Sequence, residues 1–229
     1  MKPFELLAHS STADGTVLKL VRRDTEYLIL ADDKPLMSSR MHGSEEALAL
    51  AACRKARTLK QPHVLIGGLG MGFTLRAALQ ILPPQAKILV AELVPAVVEW
   101  NRGPLGELAQ HPLNDPRVGV KIDDVAATLR YQPNQFDAIL LDVDNGPAAF
   151  TVSNNAGLYD NVGLAAAFRA LKHNGVLAVW SARADKKFEQ RLGQAGFTVE
   201  VERAQARGKT SGTRHTIYLA HKSPSPKNR

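Results

Sequence analysis

Cysteine is nearly absent from this 229-residue chain, where Cys53 stands alone. A single thiol excludes an internal disulfide and any CxxC metal site, and its place in an alanine-rich run reads as a small buried hydrophobe. Aromatic residues are few, at 6%, so there is no stacking platform for nucleic-acid bases. No apolar run approaches the length of a membrane span. Residues 1–10 also lack the charged region, apolar core and small-residue cleavage site of a signal peptide. The expectation is a soluble, cytoplasmic protein with no membrane partner. His42, His63 and His215 have no metal-ligand spacing, so no metal is expected either.

Acidic residues are missing from one end of the chain. From position 203 onward Arg203, Arg207, Lys209, Arg214, Lys222, Lys227 and Arg229 face no Asp or Glu, and they account for the whole formal charge of +7. The excess is therefore local. A basic rim can attract an anionic partner, but residues 223–229, with two prolines, read as a solvated, disordered basic tail. Nucleic acid is not the expected partner.

What is present is a chain 45% hydrophobic, long enough to bury a full core. It is organised around residues 63–142. The run Val64-Leu65-Ile66-Gly67-Gly68-Leu69-Gly70-Met71-Gly72 is an apolar strand entering a glycine-rich turn, and a helix over residues 73–82 follows. Without Cβ atoms at Gly68, Gly70 and Gly72 the backbone bends sharply and a ligand can lie against bare peptide at the helix N-terminus. A second strand over residues 87–93 carries Glu92, roughly 20 residues past the glycines, where an acid can hold both ribose hydroxyls. A third over residues 118–122 runs into Asp123-Asp124. A fourth over residues 136–141 ends in Asp142-Val143-Asp144-Asn145-Gly146-Pro147. Ligands of open parallel sheets bind beyond the carboxyl ends of the strands, so these four ends describe one crevice.

Before this core, short β-leaning stretches at residues 4–7, 16–22, 27–31 and 36–38 are separated by turn chemistry and predict a small antiparallel sheet. Such a sheet has an edge that permits a homodimer. Gly43-Ser44-Glu45-Glu46 opens a helix with Ser44 as N-cap, extending through the alanine-rich run to Leu59. After the core, a helix over residues 158–171 with the stop signal His173-Asn174-Gly175, a strand over 176–180, a helix over 185–195 and strands over 198–204 and 215–220 complete the pattern. This is a doubly wound, mostly parallel seven-stranded α/β sheet with an antiparallel edge.

The glycine spacing is not that of a nicotinamide site, since Phe73 stands three residues after Gly70, and no Gly-Lys-Ser or Gly-Lys-Thr follows to bind phosphate. A nucleoside without phosphates fits better, and Asp124 can accept a hydrogen bond from an adenine amine. At these residues the chain resembles the spermidine synthase family of polyamine aminopropyltransferases, built on the class I methyltransferase fold. The resemblance covers residues 27–180 and is carried by residues 64–76, Ala91-Glu92-Leu93-Val94-Pro95, Asp115-Pro116-Arg117-Val118, Asp123-Asp124, residues 136–142 and Leu158-Tyr159.

The resemblance implies decarboxylated S-adenosylmethionine as co-substrate and a small amine as acceptor. Glu92 would hold the ribose, and Asp123 and Asp124 the adenine side. Asp142 would be the catalytic aspartate and Tyr159 would position the amine. Asp144 and Asn145 would bind the acceptor, with Asp144 or Asp160 holding a second ammonium. The domains expected are residues 1–43 as a small β region, 44–222 as a Rossmann-like nucleoside-binding transferase and 223–229 as the tail. Two alternatives remain open on the same fold: methyl transfer from intact S-adenosylmethionine to a small molecule, and nucleoside binding without turnover. Base methylation is disfavoured, because neither Asn-Pro-Pro-Tyr nor Asp-Pro-Pro-Tyr nor Pro-Cys occurs after the fourth strand.

Overall fold

The computed structural model describes residues 2–142, 156–207 and 211–223. Four N-terminal strands, β1 (Glu5–Ser11), β2 (Val17–Arg23), β3 (Glu26–Ala31) and β4 (Lys34–Ser38), form an antiparallel sheet in sequence order. The β3–β4 hairpin turns on Asp32 and Asp33, both with positive φ (46° and 64°). A two-residue hairpin loop needs that conformation, and aspartate tolerates it.

The larger sheet contains β5 (His63–Gly67), β6 (Lys87–Glu92), β7 (Val118–Ile122), β8 (Phe136–Leu141), β9 (Leu171–Ser181), β10 (Thr198–Arg207) and β11 (Ser211–His221), in the order β10-β11-β9-β8-β5-β6-β7. Strands β5 to β9 pair in parallel, and β11 runs antiparallel between β9 and β10. The central strands are apolar throughout, as a sheet covered on both faces requires: Val64, Leu65, Ile66, Ala138, Ile139 and Leu140 have no exposed surface.

Helices α1 (Gly43–Ala52) and α2 (Phe73–Ile81) cover one face. Leu18, Leu20 and Ile29 of the N-terminal sheet share its core with Leu48, Ile66 and Val90. Helices α4 (Val125–Tyr131), α6 (Asn161–Ala170) and α7 (Lys186–Gln194) cover the other. Helix α3 (Pro95–Arg102) follows β6, and the one-turn α5 (Ala156–Tyr159) precedes α6. No helix among the described residues is long and apolar enough to cross a membrane.

Four boundaries differ from expectation. Ser44 is not the N-cap of α1. That position is His42, without a side-chain cap bond, while the Ser44 hydroxyl donates to Glu45 Oε2 at 2.8 Å. The same helix ends at Ala52, short of Leu59, because the following residues form a separate 3-10 turn, Ala56–Thr58, and Arg54 reaches Glu202 of β10 at 2.8 Å. Alanine propensity is a weak preference that tertiary contacts override. The helix expected over residues 158–171 is split at Asp160, whose Oδ1 accepts from Gly163 N at 2.8 Å and caps α6. It stops at Ala170, and residues 173–175 belong to β9. Of the expected disordered tail, residues 223–229, all but Ser223 lie outside the described residues.

The Asp115-Pro116-Arg117-Val118 motif is a structural clamp. Arg117 pairs with Asp115 at 2.8 Å and donates to Leu82 O at 2.9 Å and Leu79 O at 3.0 Å, satisfying carbonyls at the C-terminal end of α2. The guanidinium holds the Asp115 carboxyl below its usual range.

Candidate active site

The strand order reverses at β5: β6 lies on one side of it and β8 on the other. The glycine loop leaves β5 at that switch point, so Glu92 at the end of β6 and Asp142 just past β8 flank it. Gly68, Gly70 and Gly72 all have positive φ (84°, 53° and 82°), which explains why the loop is built from glycine. The loop is anchored by Gly68 N donating to Ala91 O at 2.9 Å and Gly72 N donating to Leu69 O at 2.9 Å. Asn101 of α3, buried, donates from Nδ2 to Gly70 O at 2.8 Å and to Val97 O at 2.9 Å.

Glu92 is 7% exposed. Its Oε2 accepts from Leu69 N at 2.8 Å and its Oε1 from Val94 N at 2.8 Å. The carboxylate thus spans the glycine loop and its own strand end, adjacent to Gly70. Beyond β8, Asp142 N donates to Gly67 O at 3.0 Å, and Asp142 Oδ2 accepts from the Thr74 hydroxyl at 2.7 Å. Thr74 sits buried in the first turn of α2.

A shallow cleft opens over this junction, lined by Met37, Glu45, Leu69, Gly70, Thr74 and Asp142 among others. Met37 comes from the N-terminal sheet, and its Cε would lie only 2.7 Å from a Cβ on Gly70. Glu45 comes from the first turn of α1. Burial, and then the negative charge of Asp142, push its carboxyl up to about 7. The α1 N-terminus is held over α2 by His42 stacked on Phe73 with ring centroids 4.3 Å apart and by an ion pair between Glu46 and Arg76.

The other sequence-derived candidates are distributed around this centre. Asp124 is exposed and caps α4, its Oδ1 accepting from Ala126 N at 2.8 Å. Asp123 pairs with Lys121 at 2.6 Å, which holds its carboxyl below the usual range. Tyr159 is buried, its ring edge-on to Phe188 at 5.7 Å, and is not one of the residues lining the cleft. Asp160 caps α6 and is exposed. Asp144 and Asn145 lie outside the described residues. Cys53 is buried, and burial pushes its thiol up to about 12, so it is not a nucleophile. Among the described residues no group of three or more His, Cys, Asp or Glu could hold a metal ion.

Sequence reasoning missed Thr74, Asn101, Met37 and Glu45 as parts of the site. Thr74 and Asn101 carried a signal, since each places a polar side chain on a helix face otherwise destined for the core. Glu45 carried none, because acids in a first turn are ordinary complements to a helix dipole.

The sheet order, the glycine loop at the switch point and the two flanking acids define an α/β protein of the methyltransferase-like class. Residues 43–193 match the Spermine/spermidine synthase domain, and the chain belongs to that family. It is 34% identical over 119 residues to the polyamine aminopropyltransferase of Mycobacterium tuberculosis (strain ATCC 25618 / H37Rv), a match covering 51% of this chain and 22% of that protein. It is 32% identical over 118 residues to the polyamine aminopropyltransferase of Bacillus subtilis (strain 168), covering 50% and 39%. These matches span well under half the length of either relative. The fold is similar to that of spermidine synthase from Thermotoga maritima (TM-score 0.72, 20% identity, 97% of this chain and 74% of that one). It is equally similar to a spermidine synthase in complex with the transition state analogue AdoDATO (TM-score 0.72, 19% identity, the same coverage).

Proposed function

We propose that this protein transfers an aminopropyl group from decarboxylated S-adenosylmethionine to a small amine. The observation that carries this reading is the position of Glu92, buried against Leu69 N at the glycine loop, with Asp142 on the other side of the same loop. Adenosine would lie along the carboxyl edge with its ribose at Glu92, its base toward Asp123 and Asp124, and its sulfonium toward Asp142.

The reaction is an in-line displacement. The amine lone pair attacks the propyl carbon bonded to sulfur, the carbon–sulfur bond breaks, and its electrons return to sulfur to leave a neutral thioether. No acid is needed for the leaving group. The amine arrives as an ammonium, and Asp142, oriented by Thr74, binds it and takes its proton as the new bond forms. An ordinary aspartate is a weak base for an amine, so orientation supplies more of the rate than proton abstraction. Tyr159, Asp144, Asn145 and Asp160 remain proposals for positioning the acceptor, resting on sequence resemblance.

The test combines product mass and nucleoside affinity. Incubation with decarboxylated S-adenosylmethionine and a panel of di- and polyamines should give a product heavier by one aminopropyl unit, together with methylthioadenosine. A product heavier by one methyl from intact S-adenosylmethionine would overturn this reading, and no product from either donor would leave a nucleoside-binding protein. Glu92→Ala should weaken methylthioadenosine binding by about a hundredfold, in line with loss of charge-assisted bonds to a ligand. Unchanged affinity in calorimetric titration would remove Glu92 from the site.

A further inference from the structure

The amino ends of the parallel strands form an edge at the opposite end of the sheet from the cleft, and basic side chains stand along it. Lys60 lies three residues before β5, Lys87 opens β6, Lys172 and His173 lie in the first residues of β9, and Lys222 directly follows the antiparallel β11. Neighbouring strands lie about 4.8 Å apart, so the row from β11 to β6 extends roughly 20 Å. No motif marks these residues along the chain. The sheet aligns them.

Few acids oppose the row. Asp137, the second residue of β8, accepts from His63 N at 2.8 Å and from Lys172 Nζ at 2.7 Å. Its charge does not cancel the field around it: burial, and then the charges of Lys172 and Lys87, hold the His63 imidazole below its usual range despite Asp137. Glu200 faces His221 at 3.6 Å, and Asp115 is held by Arg117. Among the described residues no Asp or Glu pairs with Lys60, Lys87 or Arg169, and all three are exposed. Outside the described residues the single acid is Asp144, which follows the carboxyl end of β8 in the chain.

An aromatic ring stands beside the row. Tyr131 ends α4 and is 79% exposed. The connection after it is bonded to the end of α6, Asn134 N donating to Arg169 O at 2.7 Å and Gln135 N to Ala170 O at 2.8 Å. Tyr131, the exposed Asn134 and Gln135, and Arg169 are thereby gathered next to the start of β9.

We propose that this edge binds a single-stranded nucleic acid, with phosphates along Lys60, Lys87, Lys172 and Arg169 and a base stacked on Tyr131. A line of cations suits a linear polyanion, and an exposed ring flanked by amides suits bases. A membrane surface would be met by apolar side chains that insert, whereas the neighbours of Tyr131 here are amides and cations. The cleft lies at the other end of the same strands, so this binding does not depend on the transfer reaction.

The test is fluorescence anisotropy of the full chain with a labelled single-stranded RNA and the matching DNA, at about 50 and about 200 mM salt. Binding of at least one strand should weaken by about twenty- to fiftyfold across that range, the response of three or four phosphate contacts. Lys60→Gln combined with Lys87→Gln should weaken binding about tenfold at the lower salt and cut the salt response to below about sevenfold, as loss of two contacts requires. Tyr131→Ala should weaken it about fivefold or more and leave the salt response unchanged, as loss of stacking requires. Arg203→Gln combined with Arg214→Gln removes two exposed cations elsewhere, on β10 and β11, and should change affinity by less than about twofold if the contacts are local. Methylthioadenosine affinity and the thermal midpoint, unchanged in every variant, serve as controls for folding.

No binding of either strand would overturn the proposal. So would an equal loss in the Arg203→Gln and Arg214→Gln variant, which would reduce binding to attraction by net charge. Polyglutamate or phosphatidylglycerol vesicles bound as tightly, with Tyr131→Ala without effect, would overturn it in favour of an acidic protein or a membrane. Oligonucleotide binding lost in Lys60→Gln with Lys87→Gln while aminopropyl transfer continues would support it, and failure of the transfer reaction in the wild type would leave it standing.

Discussion

The Thr74 hydroxyl donates to Asp142 Oδ2 at 2.7 Å, joining the first turn of α2 to the end of β8 across the point where the sheet order reverses. One oxygen of Asp142 is thereby fixed at the wall of the cleft. Thr74→Val keeps the shape and removes the donor. A hydrogen bond to a charged group contributes about 1.5–3 kcal/mol, so turnover should fall by roughly ten- to a hundredfold while methylthioadenosine affinity changes little. Thr74→Ser should restore most of the rate. Steady-state kinetics beside nucleoside titration check this, and equal losses in kcat and nucleoside affinity would mean that Thr74 merely holds the loop.

The glycines of the loop differ in what surrounds them. A Cβ on Gly70 would meet the end of the flexible Met37 side chain at 2.7 Å, whereas one on Gly72 would meet Asn101 Oδ1 at 2.8 Å and Ala109 Cβ at 3.1 Å. Both positions have positive φ, which costs an alanine roughly 1–2 kcal/mol. Met37 can swing aside, but Asn101 cannot move without releasing Gly70 O. Gly70→Ala should therefore lose only about that backbone cost, and Gly72→Ala roughly 3 kcal/mol or more, as overpacking adds to strain. Urea denaturation would measure both; the opposite ranking would show that the loop is held by something other than Asn101.

Arg117 serves stability and not the site. Arg117→Met would leave Asp115 without its cation and the carbonyls at the end of α2 without a donor, a loss of roughly 2–3 kcal/mol. Nucleoside affinity should be unaffected. The pH dependence has a definite sign. The folded Asp115 carboxyl titrates below its ordinary value because of Arg117, so its contribution is present above the unfolded value and is lost as pH falls through the folded one. The stability gap between wild type and Arg117→Met should therefore narrow under acid. A gap that is constant across that range would assign the effect to the α2 carbonyls alone.

Much of this architecture is written in the order of residues. Apolar runs at β5, β6 and β8 could only be strands covered on both faces, and the glycines after β5 announced a turn that side chains would obstruct. The acids at the ends of β6, β7 and β8 could be assigned to one edge because parallel strands deliver their carboxyl ends to the same side. The placement of Glu92 and Asp142 beside the glycine loop was legible for that reason. Local pattern was less informative where neighbours competed with propensity: the alanine run after Ser44 stops at Ala52, and a helix read as continuous breaks where Asp160 caps its second part.

What only the tertiary structure decided is which long-range neighbours complete the cleft. Thr74 meets Asp142 from 68 positions away, and Met37 and Glu45 arrive from the N-terminal sheet and α1. Periodicity reports whether a residue faces the core or solvent. It carries no information about which distant carboxylate a given acid will face, because that depends on how α1 settles over the strand ends, and packing between elements sets that position.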